Sequence, residues 1–411
     1  MIVEKRILDF EKLGLGMFVH FGVYSAHGRG EWARLAGILT NEEYDALCHT
    51  FCPKPDWARE LCAVAKAMGC RYVTLTTRHH DGYSLFDTCG LNEYDAPHTA
   101  PGRDLVREFC DACREAGLVP FFYHTLLDWY EPSYRENFKE YLVYLRRSVE
   151  ILCKNYGKIG GLWFDGWWNK PDADWEFDEL YGTIRRYQPD AMIINNTGLS
   201  RLGEAGHPEI DSVTFERGKP FPLNREGAPK YLASEMCEVL GTHWGYAELD
   251  FNYKSLATII ETLCACRRAG ANMLLNVGPM GDGSLRPLDR EMLLALGKWV
   301  EIHKEALYLP RPAEVEITGN EKDFLLRGDG CYYLFIHNIP KGGSQDVVLD
   351  ANLNPYADAF TLPESVRAIR WLDSGLDVPY LTEGNRVTVC PSRQPYGEDF
   401  AVKIARIEVE E

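Results

Sequence analysis

The segment PDWARELCAVAKAMG at 55–69 is followed after one residue by RYVTLTTR at 71–78, and this succession decides the predicted fold. The apolar residues of the first segment recur at the spacing of one helix face: Trp57, Leu61, Val64 and Met68. The second segment is a short β-branched, largely apolar run, which is typical of a buried strand. A helix that leads directly into a buried strand indicates an α/β architecture.

The same alternation continues up to about residue 309. The strand-like runs are 17–25, 71–78, 118–125, 160–168, 191–197, 211–216, a weakly marked one at 231–237, and 272–278. They show little polar alternation, as expected for parallel strands that are covered on both faces. We therefore predict a (β/α)₈ barrel over 1–309, closed by a helix at 287–308 that begins at Pro287. An open sheet is the alternative, because the seventh run is weak.

A different pattern follows the segment LPRP at 309–312. Short strand-like segments are separated there by Gly, Asp, Asn and Pro, and they read EVEIT, DFLLR, CYYLFIHN, DVVLD, AIRWL, RVTVC and VKIARIEVE. Such closely spaced strands predict an antiparallel β-sandwich, so residues 310–411 are expected to form a second domain.

Composition narrows the classes of function. The chain has 411 residues and a formal net charge of −17, which argues against nucleic-acid or anionic-membrane partners. No apolar run is long enough to span a membrane, and the N-terminus lacks the pattern of a secretory signal. The 13 cysteines are scattered and odd in number, which favours reduced thiols and a cytoplasmic location. The oligomeric state is left open, with a homo-oligomer among the options.

Polar residues close most of the predicted strands, where the active site of a barrel lies. They are His20, His79, His80, Asp81, Tyr123, His124, Trp163, Asp165, Asn195, Asn196, Glu216 and Asn276. Lysine and arginine are nearly absent from this set, and no glycine-rich loop has the spacing of a phosphate site. Carboxylates, aromatic rings and neutral donors together favour a sugar as the ligand.

Two carboxylates of this set are candidates for glycoside cleavage, which needs a nucleophile or base and a proton donor. Asp165 ends the strand LWFD and is the candidate nucleophile, although an aspartate that caps the next helix is the alternative. Glu216 ends the run DSVTFE, and the alternative there is a surface ion pair with Arg217.

The histidines also leave alternatives open. His79 and His80 are adjacent, so only one of them points inward unless the strand has already ended. They are candidates for binding sugar hydroxyls, for a structural hydrogen bond or for ligating a metal, but no third ligand follows at a suitable spacing. His20 is either a sugar ligand or a hydrogen-bonded core residue.

The chain resembles glycoside hydrolase family 29, the α-L-fucosidases. The resemblance rests on blocks in family order: GMFVHFGVYS at 16–25, RHHDG at 78–82, LWFDG at 162–166, WGY at 244–246 and LLNVGPMGDG at 274–283. It implies a retaining exo-α-L-fucosidase that hydrolyses terminal α-L-fucosyl residues of oligosaccharides through a covalent fucosyl-enzyme. It also implies a barrel followed by a β-sandwich, without metal or organic cofactor.

The resemblance further implies residue roles. Asp165 occupies the position of the nucleophile, and Glu216 that of the acid/base, with Glu235 as the second choice. The positions implied for sugar binding are His20, Glu31, Trp32, His79, His80, Tyr123 and Trp163. The chain departs from the pattern at HFG, where many members have HWG, and at Asn196-Thr197, where some supply an arginine. Two alternatives stay open: a sugar-binding barrel with a decayed catalytic pair, and a glycosidase for a related sugar such as an α-L-galactoside.

Overall fold

A computed structural model describes residues 1–197, 203–343 and 356–410. The chain divides into two compact units. One consists of Met1–Tyr253 and Ala271–Leu294, and the other of Lys254–Gly270 and Ala295–Glu411. The domain boundary at residue 309 stays a prediction.

Eight parallel strands of the described residues form a closed barrel in sequential order, so the predicted fold class is confirmed and the open-sheet alternative is wrong. They are β1 (Leu15–Val19), β2 (Tyr72–Arg78), β3 (Val119–Thr125), β4 (Gly161–Asp165), β5 (Met192–Asn195), β6 (Ser212–Glu216), β7 (Ala233–Val239) and β8 (Asn272–Val277). Pairing of β1 with both β2 and β8 closes the ring.

The helices among the described residues alternate with these strands or follow them. They are α1 (Lys5–Glu11), α2 (Tyr24–His27), α3 (Asn41–Asp45), α4 (Trp57–Met68), α5 (Leu105–Ala116), α6 (Ser133–Glu136), α7 (Phe138–Asn155), α8 (Phe177–Tyr187), α9 (Leu256–Ala269) and α10 (Pro287–Leu307). The predicted helices at 55–69 and 287–308 correspond to α4 and α10. Helix α4 ends at Gly69, whose φ of 93° lets the chain leave the helix toward β2.

The weak seventh strand owes its weak signal to buried polar residues. All of β7 is buried, including Ser234, Glu235 and Glu238. Glu235 accepts hydrogen bonds from the Tyr72 hydroxyl and from Trp163 Nε1, the latter at 2.9 Å. Because partners from other strands satisfy this carboxyl group, it is tolerated inside the barrel. Such partners cannot be recognised from the local pattern of β7.

Two of the predicted strands end three or more residues early in the structure, and this shapes the mouth of the barrel. Strand β1 stops at Val19, and the rest of the run 17–25 forms a turn and the start of α2. Strand β4 stops at Asp165, and a short 3₁₀ helix follows at Trp167–Asn169. Gly166 connects them with a φ of 99°, a conformation that favours glycine. The chain therefore turns immediately after Asp165.

The C-terminal part forms two antiparallel sheets. The strands are β9 (Arg311–Pro312), β10 (Phe324–Arg327), β11 (Cys331–His337), β12 (Asp358–Thr361), β13 (Val366–Trp371), β14 (Tyr380–Glu383), β15 (Arg386–Val389) and β16 (Val402–Val409). The first sheet has the order β13-β16-β11-β10-β9 and the second β12-β15-β14. Side chains of both sheets share one core, among them Leu334, Ile407, Phe360 and Val387, as a sandwich requires.

Two predicted strands of the sandwich have other outcomes. The segment EVEIT at 314–318 is not a strand. Its alternating Val315 and Ile317 do pack against the sandwich core, but only Thr318 forms a backbone bridge, to Ala359. The alternation of apolar and polar residues in this segment therefore reflects burial of every second side chain and not pairing with a neighbouring strand. The segment DVVLD lies outside the described residues.

No helix in the described part of the chain is long and apolar enough to cross a membrane. All 13 cysteines are free thiols, and most of them are buried, as their apolar surroundings in the sequence predict.

Candidate active site

The C-terminal ends of the barrel strands surround a pocket with about 410 Å³ of empty space, part of which is open to solvent. Its walls combine acidic, aromatic and neutral polar side chains: Phe18, His20, Trp32, His79, His80, Tyr123, Trp163, Asp165, Trp168, Asn196, Glu216, Cys237 and Trp244. A pocket of this size and lining suits a single small polar ligand. None of the described residues that line it is a lysine or an arginine.

Asp165 is the last residue of β4, and both of its carboxylate oxygens are hydrogen-bonded. Oδ2 accepts from the Tyr123 hydroxyl at 3.1 Å and lies 3.4 Å from Nε2 of His80. Oδ1 accepts from Trp168 Nε1 and from Asn196 Nδ2, each at 3.3 Å. The 3₁₀ helix that follows has no side-chain cap, so the alternative of a helix-capping aspartate is wrong.

These contacts determine the ionisation of Asp165. Burial acts to raise the pKa of this carboxyl group, but hydrogen bonds and charge from His80, with further donors from Trp168 and Tyr123, lower the pKa below its ordinary value. An ionised oxygen with donors around it and an open pocket in front of it has the properties of a nucleophile.

Glu216 is the last residue of β6 and lies beside Asp165. Its Oε2 accepts a hydrogen bond from Asn196 Nδ2 at 2.6 Å, and the same nitrogen donates to Asp165 Oδ1 at 3.3 Å. Asp165 Oδ1 and Glu216 Oε2 are therefore at most about 6 Å apart, which agrees with the separation of about 5–5.5 Å between the carboxyl groups of a retaining pair.

The surroundings of Glu216 favour its protonated form. Burial, and then the negative charge of Asp165, raise its pKa to about 7, although Asn196 and Arg217 act in the opposite direction. No ion pair between Glu216 and Arg217 occurs in the described part of the chain. Arg217 instead donates to the Thr242 carbonyl and lies 5.1 Å above the Trp244 ring. The two carboxyl groups are thus pushed toward opposite protonation states, as acid and nucleophile require.

His79 and His80 both line the pocket, because β2 has already ended at Arg78. Nδ1 of His80 lies 2.7 Å from the Thr125 hydroxyl, and the His79 ring stacks on Tyr123 with centroids 5.6 Å apart. Burial lowers the pKa of His79 well below its ordinary value, and the second cause is the neighbouring His80.

His20 follows β1, and its Nδ1 lies 2.6 Å from Asn276 Oδ1. Burial lowers its pKa to about 3, so the ring is neutral at physiological pH and can exchange hydrogen bonds with a hydroxyl group. Among the described residues no group of His, Cys, Asp and Glu side chains has an arrangement that could hold a metal ion.

Two of the predicted site residues do not line the pocket. Glu235 is fully buried beneath it and is bound by Tyr72 and Trp163. Glu31 is also buried and accepts a hydrogen bond from the backbone of Gly245 at 2.8 Å. Glu31 thereby supports the loop that carries Trp244 and reaches the pocket only through that loop.

The aromatic rings divide into a floor and a mouth. Trp163, which is 2% exposed, stacks parallel to Tyr123 in the interior. Trp32, which is 37% exposed, lies 5.2 Å from Trp129 and stacks on Trp168 at 6.1 Å.

Four lining residues were absent from the predicted set: Phe18, Trp168, Cys237 and Trp244. Asn196 was in that set as a polar residue that closes a strand, and Trp244 could have been found because it lies in the WGY block. Cys237 and Phe18 lie inside apolar runs and give no local signal.

Comparison with known proteins agrees with this geometry. The profile of the family described as alpha-L-fucosidase matches residues 5–305. The tissue alpha-L-fucosidase of Bos taurus is 30% identical over 364 residues, which are 80% of this chain and 74% of that protein. The chain belongs to the α-L-fucosidase family. The resemblance to glycoside hydrolase family 29 is therefore confirmed, and the chain is a glycoside hydrolase.

Solved α-L-fucosidases share the fold. Alpha-L-fucosidase isoenzyme 1 from Paenibacillus thiaminolyticus superposes with a TM-score of 0.81 at 30% identity, covering 99% of each chain. A GH29 alpha-L-fucosidase from Bacteroides thetaiotaomicron, solved as a trapped covalent intermediate with 2-fluoro-fucosyl fluoride, has a TM-score of 0.83. It is 23% identical and covers 99% of this chain and 97% of its own, which extends the likeness of fold to a more distant α-L-fucosidase.

Proposed function

We propose that this α-L-fucosidase is a retaining exo-enzyme that releases terminal α-L-fucosyl residues from oligosaccharides. Asp165 is its nucleophile and Glu216 its acid/base. The observation that carries the proposal is the shared contact of both carboxyl groups with Asn196, because it holds them side by side at the short range that a retaining pair needs. The trapped covalent intermediate of the Bacteroides thetaiotaomicron relative supports the same mechanism.

The reaction proceeds in two displacements. Asp165 attacks the anomeric carbon while the bond to the glycosidic oxygen breaks, and Glu216 gives its proton to that oxygen. Glu216, now ionised, then takes a proton from water. The water oxygen bonds to the anomeric carbon as the bond to Asp165 breaks, which releases fucose with its original configuration.

The remaining lining residues have binding roles in this proposal. Neutral His20 and His79, together with His80, form hydrogen bonds with the ring hydroxyls, and these bonds strengthen as the ring flattens in the transition state. Tyr123 holds Asp165 in place, while Trp32 and Trp163 cover apolar parts of the sugar. Glu31 acts through the loop of Trp244.

The stereochemical course tests the mechanism. When an aryl α-L-fucoside is hydrolysed in deuterated buffer and followed by proton NMR, α-L-fucose is expected to appear first and the β-anomer only later, by mutarotation. First appearance of the β-anomer would contradict retention. A panel of fucosyl-oligosaccharides of defined linkage then gives the natural substrate class.

The two alternatives are separated by simple measurements. Binding of fucose in a calorimeter without hydrolysis of any fucoside would indicate a barrel that only binds sugar. Comparable rates with aryl α-L-fucoside and aryl α-L-galactoside would indicate the wider specificity, because the two sugars differ only at C6. The cytoplasmic location stays a prediction from residue usage.

A further inference from the structure

Neither the sequence motifs nor the family relationship assigns a role to Asn196. It follows β5 at the mouth of the barrel and is fully buried. Its backbone N–H donates to the Phe164 carbonyl at 2.8 Å, and its own carbonyl accepts from Trp167 Nε1 at 3.0 Å. The residue is therefore fixed to the end of β4, the strand that carries Asp165.

The orientation of the Asn196 amide follows from its neighbours. Its Oδ1 accepts a hydrogen bond from the Thr214 hydroxyl at 3.0 Å, and its Nδ2 faces both carboxyl groups. The reverse orientation would place Oδ1 against the ionised carboxylate of Asp165, which has no hydrogen to donate to it. An amide nitrogen carries two hydrogens, so Nδ2 can supply one to Asp165 and the other to Glu216.

We propose that Asn196 is the positioning residue that gives the two carboxyl groups their different roles. One amide hydrogen stabilises ionised Asp165, and the other occupies Oε2 of Glu216. Oε1 of Glu216 is left as the atom that carries the proton and delivers it to the glycosidic oxygen. This inference rests on the proposed function, since it explains how the proposed acid/base is oriented.

The physical consequence concerns proton transfer more than sugar binding. Without the amide, Glu216 can rotate or carry its proton on Oε2, so fewer molecules are ready to protonate the leaving group. The ionised form of Glu216 also loses a donor at 2.6 Å, which favours its protonated form. A substrate with a poor leaving group, which depends on protonation, is affected most.

Asn196→Ala tests this, with Asn195→Ala as the matched control. Asn195 is the preceding residue, is equally buried and donates from Nδ2 to the Tyr181 hydroxyl at 3.0 Å, outside the pocket. We expect Asn196→Ala to lower kcat/KM for phenyl α-L-fucoside by about 10- to 100-fold and for a dinitrophenyl fucoside by much less. The basic limb of its pH profile is expected to move to higher pH.

Further measurements separate a loss of proton transfer from a loss of folding or of sugar binding. The unfolding temperature and the inhibition constant of L-fucose report whether the fold and the sugar pocket are intact in each variant. Asn196→Asp keeps the size of the side chain and should lose at least as much activity at pH 7, because an ionised carboxylate donates no hydrogen bond.

Equal losses with both leaving groups and an unchanged basic limb would overturn the inference, as would the same shift in Asn195→Ala. If Glu216→Ala shows no greater loss with the poor leaving group than with the good one, the proposed acid/base is wrong instead. The two failures are thereby distinguishable.

Discussion

The mouth and the interior of the barrel each contain a buried glutamate whose pKa is raised to about 7, mainly by burial. Glu216 at the mouth lies next to a carboxylate and lines an open pocket. Glu235 in the interior has both oxygens bound by Tyr72 and Trp163 and does not reach the pocket. A raised pKa therefore identifies a buried carboxyl group, whereas access to the substrate and a nucleophile beside it identify a catalytic one.

The strongest test of this comparison is removal of the proposed nucleophile at the mouth. Asp165→Ala is expected to lower turnover of an aryl α-L-fucoside by about 10⁴-fold or more, because no covalent intermediate can form. Azide can occupy the space left by the carboxylate, and the product should then be the inverted β-fucosyl azide. Near-normal turnover in a folded variant would rule out Asp165 as the nucleophile.

The second test compares the alanine variants of the two glutamates. Glu216→Ala is expected to lose about 10²–10⁴-fold with a poor leaving group, since proton donation is lost. Azide should restore its rate on an activated fucoside and yield the α-fucosyl azide, because attack on the fucosyl-enzyme inverts the centre a second time. If Glu235→Ala shows this rescue instead, then the interior glutamate is the acid/base.

The third test concerns stability and the interior glutamate. The pKa of Glu235 rises from 4.5 in its ordinary state to about 7 in the fold, so the folded protein keeps a proton that the unfolded chain releases. Stability therefore falls as pH rises through this window, by about 3 kcal/mol for this group. Glu235→Gln should remove that loss. At pH 8 the variant is therefore expected to unfold at a higher denaturant concentration than the parent protein, whereas at pH 4 the two should differ little. Denaturant unfolding at both pH values measures this.

The smallest effect is expected in the pH profile. The proposed mechanism needs ionised Asp165 and protonated Glu216, so kcat/KM should decline tenfold per pH unit above about pH 7. The acid limb should lie below the ordinary range of an aspartate, because the pKa of Asp165 is lowered. Glu235→Gln should keep the basic limb in place, and a shifted limb would show that the interior group controls activity.

The sequence predicted the barrel well because helix and strand periodicities are local. The run at 71–78 and the helix before it were recovered almost residue for residue as β2 and α4. The error at EVEIT has a physical cause, since alternating burial does not require a strand partner. The strand predicted from the weak run at 231–237 is present as β7, but the burial of its polar residues depends on hydrogen-bond partners from distant strands.

The candidate site was predicted less evenly. Strand ends and family motifs pointed to Asp165, Glu216 and the histidines, and the structure brings these together in one pocket. The local sequence pattern could not distinguish between the two candidates for the acid/base, because Glu216 and Glu235 both lie in short apolar runs. Asn196 was visible only as a polar residue that closes a strand.

The sequence by itself determined the order of strands, the antiparallel second region and the residue types at the barrel mouth, since these follow from local periodicity and motifs. Only the tertiary structure decided where each strand stops, and therefore that His79 and His80 both face the pocket. It also decided that Tyr72 and Trp163 donate hydrogen bonds to both oxygens of Glu235, while Asn196 donates to both Glu216 and Asp165. These contacts connect strands far apart in the chain, and a hydrogen bond between such residues exists only after the barrel has closed.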